Sequence, residues 1–344
     1  MLPLLVLTLM VATVFAMALG LAAAALDMHG RHARKARVRR SLEARWQPLL
    51  LRTLDAGDPS VLTAHVAASE RLFFLEYLFR YASRLQGRER EILAETAAPF
   101  LPALMARLRG RADPEQRARA VRTVGLLGGT EHVEDLLFAL EDPSPLVAMS
   151  AARALALRGH PRLVELFLDR AERFQDWSPR FFASMLASAG TAALDPLREV
   201  VADEARRPWT RRVAMDALAE MNDVHAAPLA TAVLDASDDR DLQCACLRLI
   251  ERLGSAAQAP AARRLVDSSS PMVRLCAISA IGALGNEDDL PALRAALEEP
   301  DMWLVLNVAR ALRSLGDEGF LAELARTEDA RARVAAQVLR EARA

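Results

Sequence analysis

The side chains best suited to chemistry are few in this sequence of 344 residues: six histidines, three cysteines and four tryptophans. None of His29, His32, His65, His132, His160 and His225 stands in the His-Glu pair that a di-iron site would use. Cys244, Cys246 and Cys276 are odd in number and contain no CxxC, so they read as reduced core thiols. Gly125-Leu-Leu-Gly-Gly129 lacks the Lys-Ser/Thr of a phosphate loop and follows no strand, which makes it a helix end. No Ser-His-Asp arrangement follows from the spacings. These residues point to a chain that is not an enzyme and needs neither metal nor cofactor.

Binding is a different matter. Trp177, Trp209 and Trp303 each stand thirteen residues ahead of a turn residue, Gly190, Asn222 or Gly316. Such a row is either an aromatic ladder for a peptide or stacked planar ligand, or bulk that packs one unit on the next. It is interrupted, since Asp241 and Met272 occupy the same position in two intervening units. Arg198, Arg263 and Arg294 recur with Arg162, Glu165, Asp169, Glu199, Arg264 and Glu298 on the second predicted helix of each unit, and read as solvent-facing. Mixed charge of this kind suits a protein-binding groove better than a polyanion groove.

The elements that position these residues repeat. The turn residues Gly128, Gly159, Gly190, Asn222, Gly254, Gly285 and Gly316 are separated by 31 or 32 positions. Gly and Asn favour the left-handed conformation that closes many helices. Four residues before each stand Val124, Leu155, Leu186, Leu218, Ile250, Ile281 and Leu312; eight before stand Ala120, Ala151, Phe182, Ala214, Cys246, Ala277 and Val308. Rows four apart share one helix face, and small side chains there let neighbouring helices approach. Six residues after the turn, Pro196, Pro228, Pro260 and Pro291 suit the first turn of a second helix. Each unit therefore predicts helix A, a turn and helix B, and no unit can bury its apolar face without stacking.

The stretch Ser270-Pro-Met-Val-Arg-Leu-Cys-Ala-Ile-Ser-Ala-Ile-Gly-Ala-Leu-Gly285 is similar to the short bacterial HEAT repeat related to the phycobilin-lyase type. Asp142-Pro-Ser-Pro-Leu-Val and Ala151-Ala-Arg-Ala-Leu155 resemble it as well. The resemblance covers residues 113–344 and implies an all-α, right-handed α-α superhelix: about seven HEAT-like repeats plus a C-terminal capping helix. Its motif residues are cap and core residues, so it says little about function. HEAT-like di-iron hydroxylases need paired His-Glu motifs that are missing here, and HEAT-like DNA glycosylases need a basic groove that the acidic balance of the array opposes; no nucleic acid is expected. Residues 41–112 do not fit the register. Helices are predicted at Ser41–Leu54, Glu70–Leu85 and Arg88–Leu108, with aromatics concentrated at Phe73–Tyr81, as in an atypical N-terminal cap.

Leu2 to Leu26 carries no charge and is long enough to cross a hydrocarbon core, so residues 1–27 read as a transmembrane signal-anchor helix contacting the lipid bilayer through 2–26. A cleaved signal peptide is the competing reading, but no Lys or Arg precedes the apolar run. The positive cluster follows it, in a basic juxtamembrane linker over 28–40 with Arg31, Arg34, Lys35, Arg37, Arg39 and Arg40. The positive-inside rule then puts the N-terminus outside and the array in the cytoplasm, at the inner membrane. Anchor, basic stretch, irregular cap and repeat array together resemble anchored bacterial HEAT proteins associated with envelope glycosyltransferases. That likeness implies a tethered scaffold for a protein partner. The alternative is a lyase-like or chaperone-like factor that binds a planar cofactor or a client through the tryptophan row.

Overall fold

The structure is a computed structural model that describes Met17 and residues 36–110, 112–160, 162–175 and 177–341. Among the described residues every regular element is helical, and the chain is an all-helical repeat solenoid. It divides into two compact units, residues 1–139 and 140–344. The expected membrane span lies outside the described residues apart from Met17, and so do Arg31, Arg34 and Lys35. Among the described residues no helix is long and apolar enough to cross a membrane.

In the first unit, α1 covers 36–56 of the described residues, and Arg37, Arg39 and Arg40 are helical within it. Next come α2 (Ser60–Thr63), α3 (Arg71–Ala82), α4 (Gly87–Ala97), α5 (Leu101–Arg109), α6 (Pro114–Leu127) and α7 (Val133–Leu140). The single helix expected over Arg88–Leu108 is two, joined by a 3-10 turn at Ala98–Phe100. Pro99 and Pro102 explain the break, because each lacks the N–H that would continue the α-helical ladder. The aromatic stretch forms the core of this unit. Phe74 and Tyr77 from α3 close around Trp46 of α1, with ring centroids 5.0 and 5.5 Å away, and all three are buried. The edge-on Trp46–Phe74 arrangement is one that aromatic quadrupoles favour.

The second unit alternates A and B helices: α8 (Pro145–Leu157) and α9 (Leu163–Leu168), α10 (Pro179–Ala187) and α11 (Leu194–Ala202), α12 (Pro208–Glu220) and α13 (Ala226–Ala236). They continue with α14 (Arg240–Leu253) and α15 (Ala259–Arg263), α16 (Pro271–Leu284) and α17 (Leu290–Ala296), α18 (Met302–Ser314) and α19 (Glu318–Leu324), and α20 (Ala330–Glu341). Successive A helices pack directly on one another, and α20 closes the layer against α18. Every member of the rows four and eight before the turn is buried. Proline does open the B helices, at the second or third residue of α11, α13, α15 and α17.

The turn residues divide into two kinds. Gly159, Gly190, Asn222 and Gly316 have the expected positive φ. Gly128, Gly254 and Gly285 are extended instead, with φ between −74° and −77°. There the glycine answers a shortage of space: an ideal Cβ would stand 2.5 to 2.7 Å from the carbonyl oxygen four residues earlier. One further glycine is set by close approach. At Gly282 a Cβ would lie 2.8 Å from the Cα of Ala311, so α16 and α18 touch backbone to backbone.

Candidate functional site

The arginines singled out on the B helices are not free groove charges. Arg198 of α11 donates from Nε and Nη2 to both carboxylate oxygens of Asp223, which precedes α13, at 2.7 and 2.6 Å. Arg263 of α15 makes the same two-pronged contact with Asp289, ahead of α17, at 2.6 and 2.9 Å. Arg294 of α17 does so with Asp317, ahead of α19, at 2.8 Å on each prong. Each clip thus runs from one B helix to the entry of the next. In the first unit Arg109 of α5 reaches Asp135 of α7 in the same sense, at 2.6 Å, so α5 plays the part of a B helix and the repeat register begins before residue 113.

These clips set the protonation of the acids they hold. The Arg198 guanidinium keeps Asp223 below the usual carboxylate range against the opposing effect of burial, and Arg263 does the same for Asp289. At Asp135 burial is the largest influence and acts upward, but hydrogen bonds from His132 and Arg109 together outweigh it and leave the group lowered. Bidentate guanidinium–carboxylate contacts are among the stronger polar interactions in proteins, and these are spent on holding the stack.

The tryptophan row is split. The Trp209 ring packs edge-on against Phe182 at 5.5 Å, and Trp177 sits 5.9 Å from Phe181, which is 5.8 Å from Phe182. Both indoles are half-buried in an aromatic cluster that extends to Phe167 and Phe174. Trp303 is 62% exposed, and no ring contact to it occurs among the described residues. The row therefore gives no continuous ladder.

What the row does mark is the outer ridge of the A helices. In α8 that ridge is Leu146, Ser150, Arg153 and Leu157; at the equivalent positions of the next repeat it is Trp177, Phe181, Ser184 and Ser188. The spacing i, i+4, i+7, i+11 keeps each set on one stripe. On α12 the ridge turns acidic at Asp216 and Glu220, and on α14 basic at Arg248 and Arg252. Arg248 reaches Asp216 at 3.1 Å, so charge on these two helices is balanced across the helix boundary. A groove of about 260 Å³ lies between α8 and α10, lined by Arg153, Leu157, Phe181, Ser184, Met185 and Ser188. Sequence reasoning found Trp177 but missed Leu157 and Phe181, whose exposure depends on how α8 and α10 are juxtaposed.

The cysteines are buried, and none of the three forms a disulfide among the described residues. Burial pushes the Cys246 thiol up to about 12, which removes it from nucleophilic chemistry near neutrality. Among the described residues no three His, Cys, Asp or Glu side chains gather as a metal site would require.

With this geometry in view, comparison with known proteins places two stretches, residues 101–183 and 228–313, as matches to the family model of HEAT repeats. The first begins at α5, in step with the Arg109–Asp135 clip. No curated protein matches the sequence. Among solved structures, a designed armadillo repeat protein is similar over 63% of this chain and all of its own, at 20% identity and a TM-score of 0.33. Human deoxyhypusine hydroxylase is similar over 82% of this chain and 99% of its own, at 19% identity and a TM-score of 0.31. The complex of CpcE and CpcF of phycocyanin lyase from Nostoc sp. is similar over 82% and 94%, at 18% identity and a TM-score of 0.27. At these scores the three likenesses support no inference about what the chain does.

Proposed function

We propose that the protein is a non-enzymatic scaffold that binds a protein partner through the A-helix face of its repeat array. One observation carries this reading: the stack places its B-helix arginines in internal clips, while the A-helix ridge leaves Leu146, Leu157, Phe181 and Trp303 exposed. Large apolar side chains grouped on a rigid surface favour protein contact, since a solvated face is better served by polar ones. The apolar run at 2–26 and the basic cluster from Arg31 to Arg40 support a membrane tether, with the array on the cytoplasmic side. Tethering raises local concentration, so a modest affinity for a membrane-adjacent partner suffices. The likeness to anchored HEAT proteins suggests an envelope glycosyltransferase assembly as the setting.

A photo-crosslinking residue placed at Phe181 of the full chain, in membranes, tests the reading against one placed at Val224, an exposed apolar position outside the A ridge. A discrete crosslinked protein from the Phe181 position alone supports it. No product from Phe181, or the same products from both positions, refutes binding through this face. Alkaline extraction of the full chain, compared with a chain lacking residues 1–40, tests the tether: release of both to the soluble fraction removes it.

A further inference from the structure

We propose that the groove between α8 and α10 accepts an acidic amphipathic helix from the partner, an inference that rests on the protein-binding reading above. Leu157 is 62% exposed and Phe181 40%, on opposite walls of the groove, and the buried Met185 forms its floor. Phe181 is exposed but braced, because its ring lies 5.9 Å from Trp177 and 5.8 Å from Phe182. An apolar side chain held in place in advance costs little ordering entropy when a partner arrives.

Charge identifies the partner further. No carboxylate lines the groove. Arg153 stands on one wall, exposed and with no hydrogen bond or ion pair among the described residues. This sets it apart from Arg198, Arg263 and Arg294, whose guanidinium groups are held by aspartates. An unpaired cation beside an apolar trough without carboxylates complements a surface with large apolar side chains flanked by carboxylates. A polyanion is a poor match, because the groove holds a single arginine and the adjacent pocket carries Asp216, Glu220 and Glu251.

Length fits as well. Leu146 and Leu157 are eleven residues apart on α8, which at 1.5 Å per residue is roughly 16 Å, or three turns. A partner helix of three to four turns would present anchors at i, i+4, i+7 and i+11 along that distance, the usual logic of a helix in a groove.

The test is a display selection of random 14-residue peptides on the purified full chain, followed by affinity measurements on the enriched sequences. Enriched peptides are expected to carry net negative charge, with apolar residues at helical spacing. Their binding should weaken at least tenfold in Leu157→Ser, in Phe181→Asp and in Arg153→Glu, and stay unchanged in Val224→Asp. Exchanging the peptide carboxylates for lysines should restore binding to Arg153→Glu. Leu157→Ser and Arg153→Glu alter exposed side chains, so melting temperatures should match the wild type and separate lost binding from lost folding. Net-basic peptides, or peptides indifferent to the groove variants, would overturn the groove assignment and leave the scaffold reading in place. No enrichment, with a partner still crosslinked from Phe181, overturns the helix assignment alone; no enrichment and no crosslink overturns both.

Discussion

Arg198 grips Asp223 with two parallel hydrogen bonds, and the carboxylate it holds is only 3% exposed. The contact joins α11 to the entry of α13, so one side-chain pair sets the spacing of consecutive repeats. His225 adds its backbone N–H to the same carboxylate at 3.3 Å, which fixes the turn before α13. Removing the guanidinium leaves a buried carboxylate with one weak donor. Arg198→Ala is expected to cost about 2 kcal/mol, in the range for a hydrogen bond to a charged group. Because the two residues share one interaction, Arg198→Ala/Asp223→Ala should cost less than the sum of the single variants, read from chemical denaturation of the purified chain.

The clips also predict how the fold responds to acid. Asp223 and Asp289 titrate lower in the folded chain than in the unfolded one, chiefly because Arg198 and Arg263 donate to them. A carboxylate with a depressed folded value contributes stability above its unfolded value, about 3.9, and loses it as pH falls through the folded value. Melting temperature should therefore change little between pH 7 and 5 on account of these groups, and fall below about pH 4. In Arg198→Ala/Arg263→Ala the acid-sensitive component should shrink, with the melting curves at pH 7 and pH 3.5 moving closer together.

Gly282 offers a test of the A-layer spacing. A methyl group there would meet the Ala311 Cα at 2.8 Å and its Cβ at 2.9 Å. Gly282→Ala forces α16 and α18 apart and is expected to destabilise the chain by about 1–3 kcal/mol, although alanine is the better helix former. Ala311→Gly removes the clashing methyl on α18 but leaves the backbone in the way, so the double variant should recover only part of the loss, as measured by thermal unfolding.

How far the sequence could lead is visible in these same residues. The buried rows from Val124 to Leu312 and from Ala120 to Val308 were legible because stacking demands small or apolar side chains at a constant offset from the turn. The clips were not. Asp223 follows its turn residue Asn222 by one position and Asp289 follows Gly285 by four, so no single column of the repeat contains the acids. The turn itself varies between left-handed and extended forms, and that variation changes which position carries the acid while keeping a carboxylate beside the arginine. The groove was equally hidden, because Leu157 and Phe181 look like ordinary core residues until α8 and α10 are placed side by side. In the cap, by contrast, the density of aromatics at Phe73–Tyr81 led directly to the Trp46 cluster.

The neighbouring repeat explains why the tryptophan row is divided between half-buried and exposed rings. Trp209 packs on Phe182, which stands eight residues before Gly190 in the preceding repeat. The residue at that position ahead of Trp303 is Ala277, which has no ring to offer. Trp209→Ala should therefore lower stability by about 1–2 kcal/mol, as expected for a half-buried aromatic. Phe182→Ala, at the centre of the cluster and fully buried, should cost about 3–5 kcal/mol. Trp303→Ala should stay within about 0.5 kcal/mol of the wild type, because its indole is mostly in water. Equal losses from Trp209→Ala and Trp303→Ala in thermal unfolding would mean that the row acts as one structural feature. Unequal losses in the stated order would leave Trp303 as an exposed indole that the fold does not need and that is free to meet a partner.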